Sequence, residues 1–180
     1  MNQLRRFYLA FDCESSKQPT LKELLDLLSS NGLSLTVVCA TRLEIDHAVG
    51  VSLSTTFHTV AIMDGSEEDL MRCLEAAKSQ PSAVLMTESM LDALQSSQHA
   101  RDSLLGSNCT FLINYDLPTD AVMDDRRIAL ILGADQSKRS DRPRVVVDLF
   151  SADQEDHFRA IEAHFGQIPF FPMSLDEILT

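Results

Sequence analysis

The sequence predicts an α/β fold: a parallel β-sheet with helices packed on both of its faces. Two observations lead there. Apolar, β-branched runs of strand length alternate with segments of helical periodicity along the whole chain. That alternation calls for crossover connections and a sheet buried on both sides. Start and stop signals also punctuate the helical segments where helices should begin and end. The 180 residues, 44% of them apolar, suit a single domain spanning residues 1–180 around one sizeable core.

Phe7 to Phe11 reads as the first strand. The run Pro19-Thr20-Leu21-Lys22-Glu23 reads as a helix start, with Thr20 as cap and Glu23 reaching back three residues later. Leu21, Leu24, Leu25 and Leu28 share one helical face, and Gly32 is the expected stop. Leu33 to Cys39 is a second strand. Thr41 and Glu44 form another capping-box pattern, opening a helix to about Ser52. Phe57 to Met63 is a strand, Asp64-Gly65 a turn, and Ser66 the cap of a helix to about Ser79. Ala83 to Met86 is a strand, and Glu88 to about Ser97 a helix. Thr110 to Ile113 and Val145 to Phe150 complete the predicted strands. Ser151 to Phe165 is the last helix, with Asp153, Glu155 and Asp156 favourable in its first turn and Gly166 at its end. Ser96 to Asn108 and Asp135 to Pro143 are polar and rich in breakers, so both are expected to be surface loops.

The formal charge is -12, which argues against a bare nucleic-acid-binding surface, because phosphate contacts need Lys and Arg. Arg126-Arg127 and the stretch from Lys138 to Arg144 are the local basic candidates. Cys13, Cys39, Cys73 and Cys109 form no Cys-x-x-Cys pair and are expected to be buried, reduced thiols. The five histidines show no metal-ligand spacing. No metal or cofactor is expected. No apolar run is long enough to cross a bilayer and no signal peptide precedes the first strand, so a cytosolic or nuclear protein is expected. The acidic residues Asp64, Glu67, Glu68 and Asp69 read as a helix-dipole complement. Asp124-Asp125 reads as solvent-exposed. No Gly-x-x-x-x-Gly-Lys-Ser/Thr loop and no Gly-x-Ser-x-Gly elbow occurs in the sequence.

The run Phe111-Leu112-Ile113-Asn114-Tyr115-Asp116-Leu117-Pro118 resembles the last central strand of the second RecA-like lobe of DEAD-box RNA helicases. The order of other segments agrees. Arg6 to Asp12 resembles the strand that opens that lobe. Val37-Val38-Cys39-Ala40-Thr41-Arg42 resembles its motif IV, and Asp156 to Phe165 its terminal helix. The resemblance implies a RecA-like parallel sheet and a role around RNA.

The departures bear on chemistry. The family's Gln-x-x-Arg falls on Asp69 and Arg72. In the segment matching motif V, whose polar groups serve RNA and nucleotide, Asp92 replaces the Arg, Ala93 the Gly and Gln95 the final Asp. An anion in place of a cation beside phosphate turns attraction into repulsion. The motif VI arginines that act on the transferring phosphoryl group fall on Leu130 and Gly133, while Arg127 matches the first Arg. Ile128 to Leu132 reads as a short apolar helix or strand instead.

The resemblance with these losses implies a non-catalytic, degenerate helicase-like domain that binds other proteins in an RNA granule, small-RNA, translation or export assembly. The acidic charge favours partners with basic or apolar segments. Phe170-Phe171-Pro172 lies beyond the last helix and reads either as packing back on the sheet or as an aromatic anchor for a partner. One alternative is a residual RNA- or nucleotide-binding lobe that completes a site with another chain, carried by Arg42, Arg72, Arg126 and Arg127. On the favoured reading RNA binding is weak or absent. A homodimer on the surface the family uses for RNA is a further alternative. A small-molecule enzyme, with its site at the carboxyl ends of the strands, finds no convergent polar residues in the sequence.

Overall fold

The computed structural model describes residues 4–33, 35–41, 58–62, 67–77, 79–106, 109–133, 144–166 and 170–172. The helix expected after Thr41, the Asp64-Gly65 turn and the loop expected over 135–143 lie outside them. The strands are β1 (Leu4–Phe11), β2 (Leu35–Cys39), β3 (His58–Ile62), β4 (Ser82–Met86), β5 (Phe111–Asn114), β6 (Arg144–Ser151) and β7 (Phe170–Pro172). The helices are α1 (Lys17–Ser30), α2 (Glu67–Ala77), α3 (Glu88–Ser96), α4 (Gln98–Gly106), α5 (Ala121–Ile128) and α6 (Glu155–His164).

Among the described residues the strands form a 7-stranded sheet in the order β3-β4-β2-β5-β6-β1-β7. Every pairing is parallel. Side chains alternate between the two faces along a strand, so β2, β4, β5 and β6 each feed two cores. On one face Phe7, Val38, Leu85, Ile113, Val145 and Val147 pack with Leu21, Leu24, Leu25 and Leu28 of α1. On the other, Val37, Val84, Leu112 and Val146 pack with Leu70 and Leu74 of α2, Leu91 and Leu94 of α3, and Leu104 of α4. A third cluster joins Phe150 of β6 to Phe158 and Ile161 of α6.

The stop of α1 forms as its glycine predicts. Gly32 sits at φ 77, its N–H donates to the Ser29 carbonyl at 2.9 Å, and the Leu33 N–H donates to the Leu28 carbonyl at 3.2 Å. That pair of bonds is a Schellman motif, which satisfies carbonyls the helix end would otherwise leave open. The start differs from expectation. The helix begins at Lys17, and the Thr20 hydroxyl donates to the Ser16 carbonyl at 3.0 Å, so Thr20 lies within the first turn and does not cap.

A second correction concerns 96–108. Much of it is α4, with Ala100 and Leu104 fully buried. Those two positions are four apart, one helical turn, and their burial outweighs the polar composition around them. The segment over 129–133 is a wide helical turn with Leu130, Ile131 and Leu132 buried, and it ends at Gly133 with φ 85. Cys13 corrects the thiol expectation: Cys39 and Cys109 are buried, but Cys13 is exposed.

Candidate functional site

The direction of the crossovers locates the site. The chain leaves β2 towards β3 at one edge of the sheet and leaves β5 towards β6 on the other side. In a parallel sheet that divergence opens a crevice beyond the carboxyl ends of the two strands. A cleft of about 310 Å³ lies there, lined by Ala40 and Thr41 after β2, Thr87, Glu88 and Ser89 after β4, Asp116, Leu117 and Thr119 after β5, and Arg127 of α5.

Its wall continues into a buried charge network. Arg6 of β1, Asp148 of β6 and Asn114 of β5 share one face of three adjacent strands, and Asn114 stands opposite Asp148 in the register. Arg6 is 1% exposed, and Asp124 and Asp148 are 0% exposed. The Arg6 guanidinium donates to Asp148 through Nε at 2.6 Å and Nη2 at 2.9 Å. It also donates to Asp124 of α5, through Nη1 to Oδ2 and through Nη2 to Oδ1 at 3.1 Å. Asn114 Nδ2 donates to Asp148 Oδ1 at 2.8 Å. The Asn114 Oδ1 accepts from Arg127 Nη1 at 2.9 Å. Arg127 then donates to the Asp116 carbonyl at 2.8 Å and to Glu88 Oε1 at 2.8 Å. The network thus runs from β1 to the lip of the cleft.

A planar guanidinium suits the centre of such a network because its fork can meet two carboxylates at once. Burial pulls the Arg6 pKa down, but Asp148 and then Asp124 more than offset it, so Arg6 is held protonated more firmly than usual. Burial pushes the Asp124 carboxyl up from the ordinary aspartate range, against the pull of Arg6. On the side away from the cleft, Phe170 of β7 covers Arg6, with the guanidinium carbon 4.3 Å from the ring centroid.

A second cation closes the floor near Asp116. Lys17 is fully buried, and its Nζ donates to the Tyr115 carbonyl at 3.0 Å. It pairs with Glu14 at 2.8 Å and lies 3.9 Å from Asp116 Oδ1. Asp116 Oδ2 accepts from the Thr41 backbone N–H at 2.6 Å, which ties the end of β5 to the end of β2.

The residues singled out from sequence fall in different places. Arg127 lines the cleft, yet it is buried and engaged on three sides. Arg126 pairs with Asp92, the acidic residue standing where the family resemblance expects an Arg. Arg72 lies on α2, 71% exposed, beside Glu68 and Asp69. Arg42 is outside the described residues. Phe170 and Phe171 form strand β7 against β1. Phe170 packs at 5.7 Å from Phe158, and Phe171 stays 44% exposed. Asp124 is a correction, since it is buried and not solvent-exposed. Asp125 is exposed and lies 3.5 Å from His164.

Sequence reasoning missed Arg6 and Asp148. Part of the signal was present: Asp148 is a single charge after three valines in an apolar strand, whereas Arg6 follows Arg5 and so reads as the polar start of a strand. A single charge at a buried strand position needs a partner.

At the level of sequence, no family model and no curated protein matches this chain. Solved structures do. The chain is similar to the C-terminal domain of the DEAD-box protein Dbp5, with a TM-score of 0.67 and 19% identity over 99% of this chain and 96% of that one. It is similar to the S. cerevisiae Dbp5 C-terminal domain bound to Gle1 and IP6, with a TM-score of 0.66 and 16% identity over 98% of this chain and 95% of that one. It is also similar to E. coli DEAD-box protein SrmB bound to regulator of ribonuclease activity A, with a TM-score of 0.61 and 14% identity over 99% of this chain and 95% of that one. The parallel sheet, its helices and these likenesses together give the chain the fold of the C-terminal, RecA-like lobe of DEAD-box helicases.

Proposed function

We propose that the chain is a non-catalytic, helicase-like lobe that acts as a protein-docking module in RNA metabolism. The observation that carries this reading is the state of the cleft's arginine. Phosphate recognition needs a cation that can turn to the ligand. Arg127 is held by Glu88, Asn114 and the Asp116 carbonyl, and it has only 3% of its side chain exposed. The positions matched to the family's phosphoryl-contacting arginines are Leu130 and Gly133. Leu130 packs in the core beside Ile131, and no side chain there could reach a phosphoryl group. Protein partners of the Dbp5 C-terminal domain and of SrmB support docking as a use for this fold.

The test is binding of labelled single-stranded RNA and of a fluorescent ATP analogue at low salt, where electrostatic contacts are strongest. Neither is expected to bind measurably. Salt-sensitive RNA binding that weakens on Arg72→Ala or Arg126→Ala would overturn the reading in favour of a residual RNA-binding lobe.

A further inference from the structure

We infer that the cleft beyond β2, β4 and β5 receives a lysine or arginine side chain from a basic, extended segment of a protein partner. The inference rests on the docking reading above and names the chemistry of the partner.

Size and lining point the same way. A volume of about 310 Å³ is at the small end of ligand pockets and suits one long side chain with its flanking backbone. Ala40 and Leu117 provide apolar lining for an aliphatic stem, and Thr41, Thr87, Ser89 and Thr119 add polar residues to it. Lysine and arginine have that amphipathic form, an apolar stem ending in a cation.

The charges decide between a cation and a phosphate. Two carboxylates line the cleft, Glu88 and Asp116, against one guanidinium. The Arg127 fork reaches both sides, to Glu88 Oε1 and to the Asp116 backbone, so the two carboxylates belong to one compact site. Behind Asp116, the charge of Lys17 is matched by Glu14. Glu88 is 38% exposed and Asp116 16%, against 3% for Arg127, so a guest meets the carboxylates, Glu88 above all, before the guanidinium. An incoming phosphate would meet two carboxylates and an unavailable guanidinium; an incoming ammonium or guanidinium would complete them. The formal charge of -12 adds a long-range attraction for basic segments.

The experiment is a fluorescence-anisotropy titration at low salt with a labelled peptide of alternating arginine and serine, run beside labelled single-stranded RNA. Thr119→Arg places a competing cation at the mouth of the cleft. Thr119→Gln adds comparable bulk without charge. Glu23→Gln makes the same one-unit charge change on the exposed face of α1. We expect the peptide to bind the wild type, with roughly tenfold loss in Thr119→Arg, a clearly smaller loss in Thr119→Gln from bulk alone, and a change within about twofold in Glu23→Gln. No peptide binding, or equal weakening by Thr119→Arg and Glu23→Gln, overturns the inference while leaving the docking reading in place. RNA that binds the wild type and displaces the peptide overturns both. Both substituted positions are exposed, so folding is not at stake.

Discussion

Arg6 holds together parts of the chain that nothing local would join. It meets Asp124 and Asp148 from 118 and 142 residues away in sequence, and all three are removed from water. A buried ion pair need not add net stability, but breaking one leaves an uncompensated buried charge. Arg6→Ala leaves two buried carboxylates facing each other and is expected to cost on the order of 3–5 kcal/mol at neutral pH by urea denaturation. The pH dependence has a definite sign. Without Arg6 the folded-state pKa of Asp124 loses the downward pull of the guanidinium and rises further above its unfolded value, adding to the upward push burial already exerts on it. Such a group contributes stability that is present below the unfolded pKa and lost as pH rises through the folded one. The deficit of Arg6→Ala relative to wild type should therefore shrink as pH falls towards about 4. A deficit independent of pH would mean that lost packing against Phe170, not charge, is what the substitution removes.

At the scale of elements, the helix ends show how much local chemistry the fold uses. The end of α1 rests on one glycine at φ 77, and a Cβ added there would meet no atom within 4 Å. Space is therefore not the obstacle; the left-handed backbone is. Gly32→Ala should lower stability by about 1 kcal/mol, and Gly32→Asn by less, because Asn tolerates that conformation better. Thermal denaturation of both variants checks this. If the two melt together at the wild-type temperature, the Schellman geometry is not what ends the helix. At the other end of the chain, the Ser151 N–H donates to Gln154 Oε1 at 3.2 Å, and α6 follows directly. Its Phe158 stacks on Phe150 at 4.2 Å, which fixes the helix over β6.

For the whole molecule, burial separates the thiols into two classes. Cys39 on β2 is fully buried, and loss of hydration pushes its thiol up to about 11. Burial pushes the Cys109 thiol up to about 12. Cys13 is exposed, and hydrogen bonds from Ser15 and Ser16 lower its pKa. Since the thiolate is the reactive form, Cys13 should react at once with a thiol reagent in the native protein. In a Cys73→Ser background, Cys39 and Cys109 should react only as the sheet opens, with a denaturant dependence that follows the loss of circular dichroism. Fast native labelling of Cys39 would place the opening of the central strands well below global unfolding.

The sequence by itself determined the parallel α/β sheet, the positions of β1 to β6 and the buried face of α1, because those follow from local periodicity; that Phe170 to Pro172 add a further strand beside β1 did not follow from it. Leu21, Leu24, Leu25 and Leu28 could be assigned to the core from their spacing and are all buried. Of the residues that line the cleft, only Arg127 was singled out from the sequence; Glu88 and Asp116 stand in segments that resemble helicase motifs, but nothing in those segments marked them as site residues. Which charges remain available was not legible. Arg127 reads as a basic candidate in sequence, and only the packing of α5 on β5 shows its guanidinium engaged by Asn114 and Glu88. Asp124 reads as surface for the same reason: its partner, Arg6, lies on the first strand. The hidden helix α4 likewise depends on Ala100 and Leu104 finding a core supplied by α2 and α3. Periodicity is carried by neighbours in sequence, whereas charge pairing and burial are set by strands brought side by side from distant parts of the chain, and only the tertiary structure decides those.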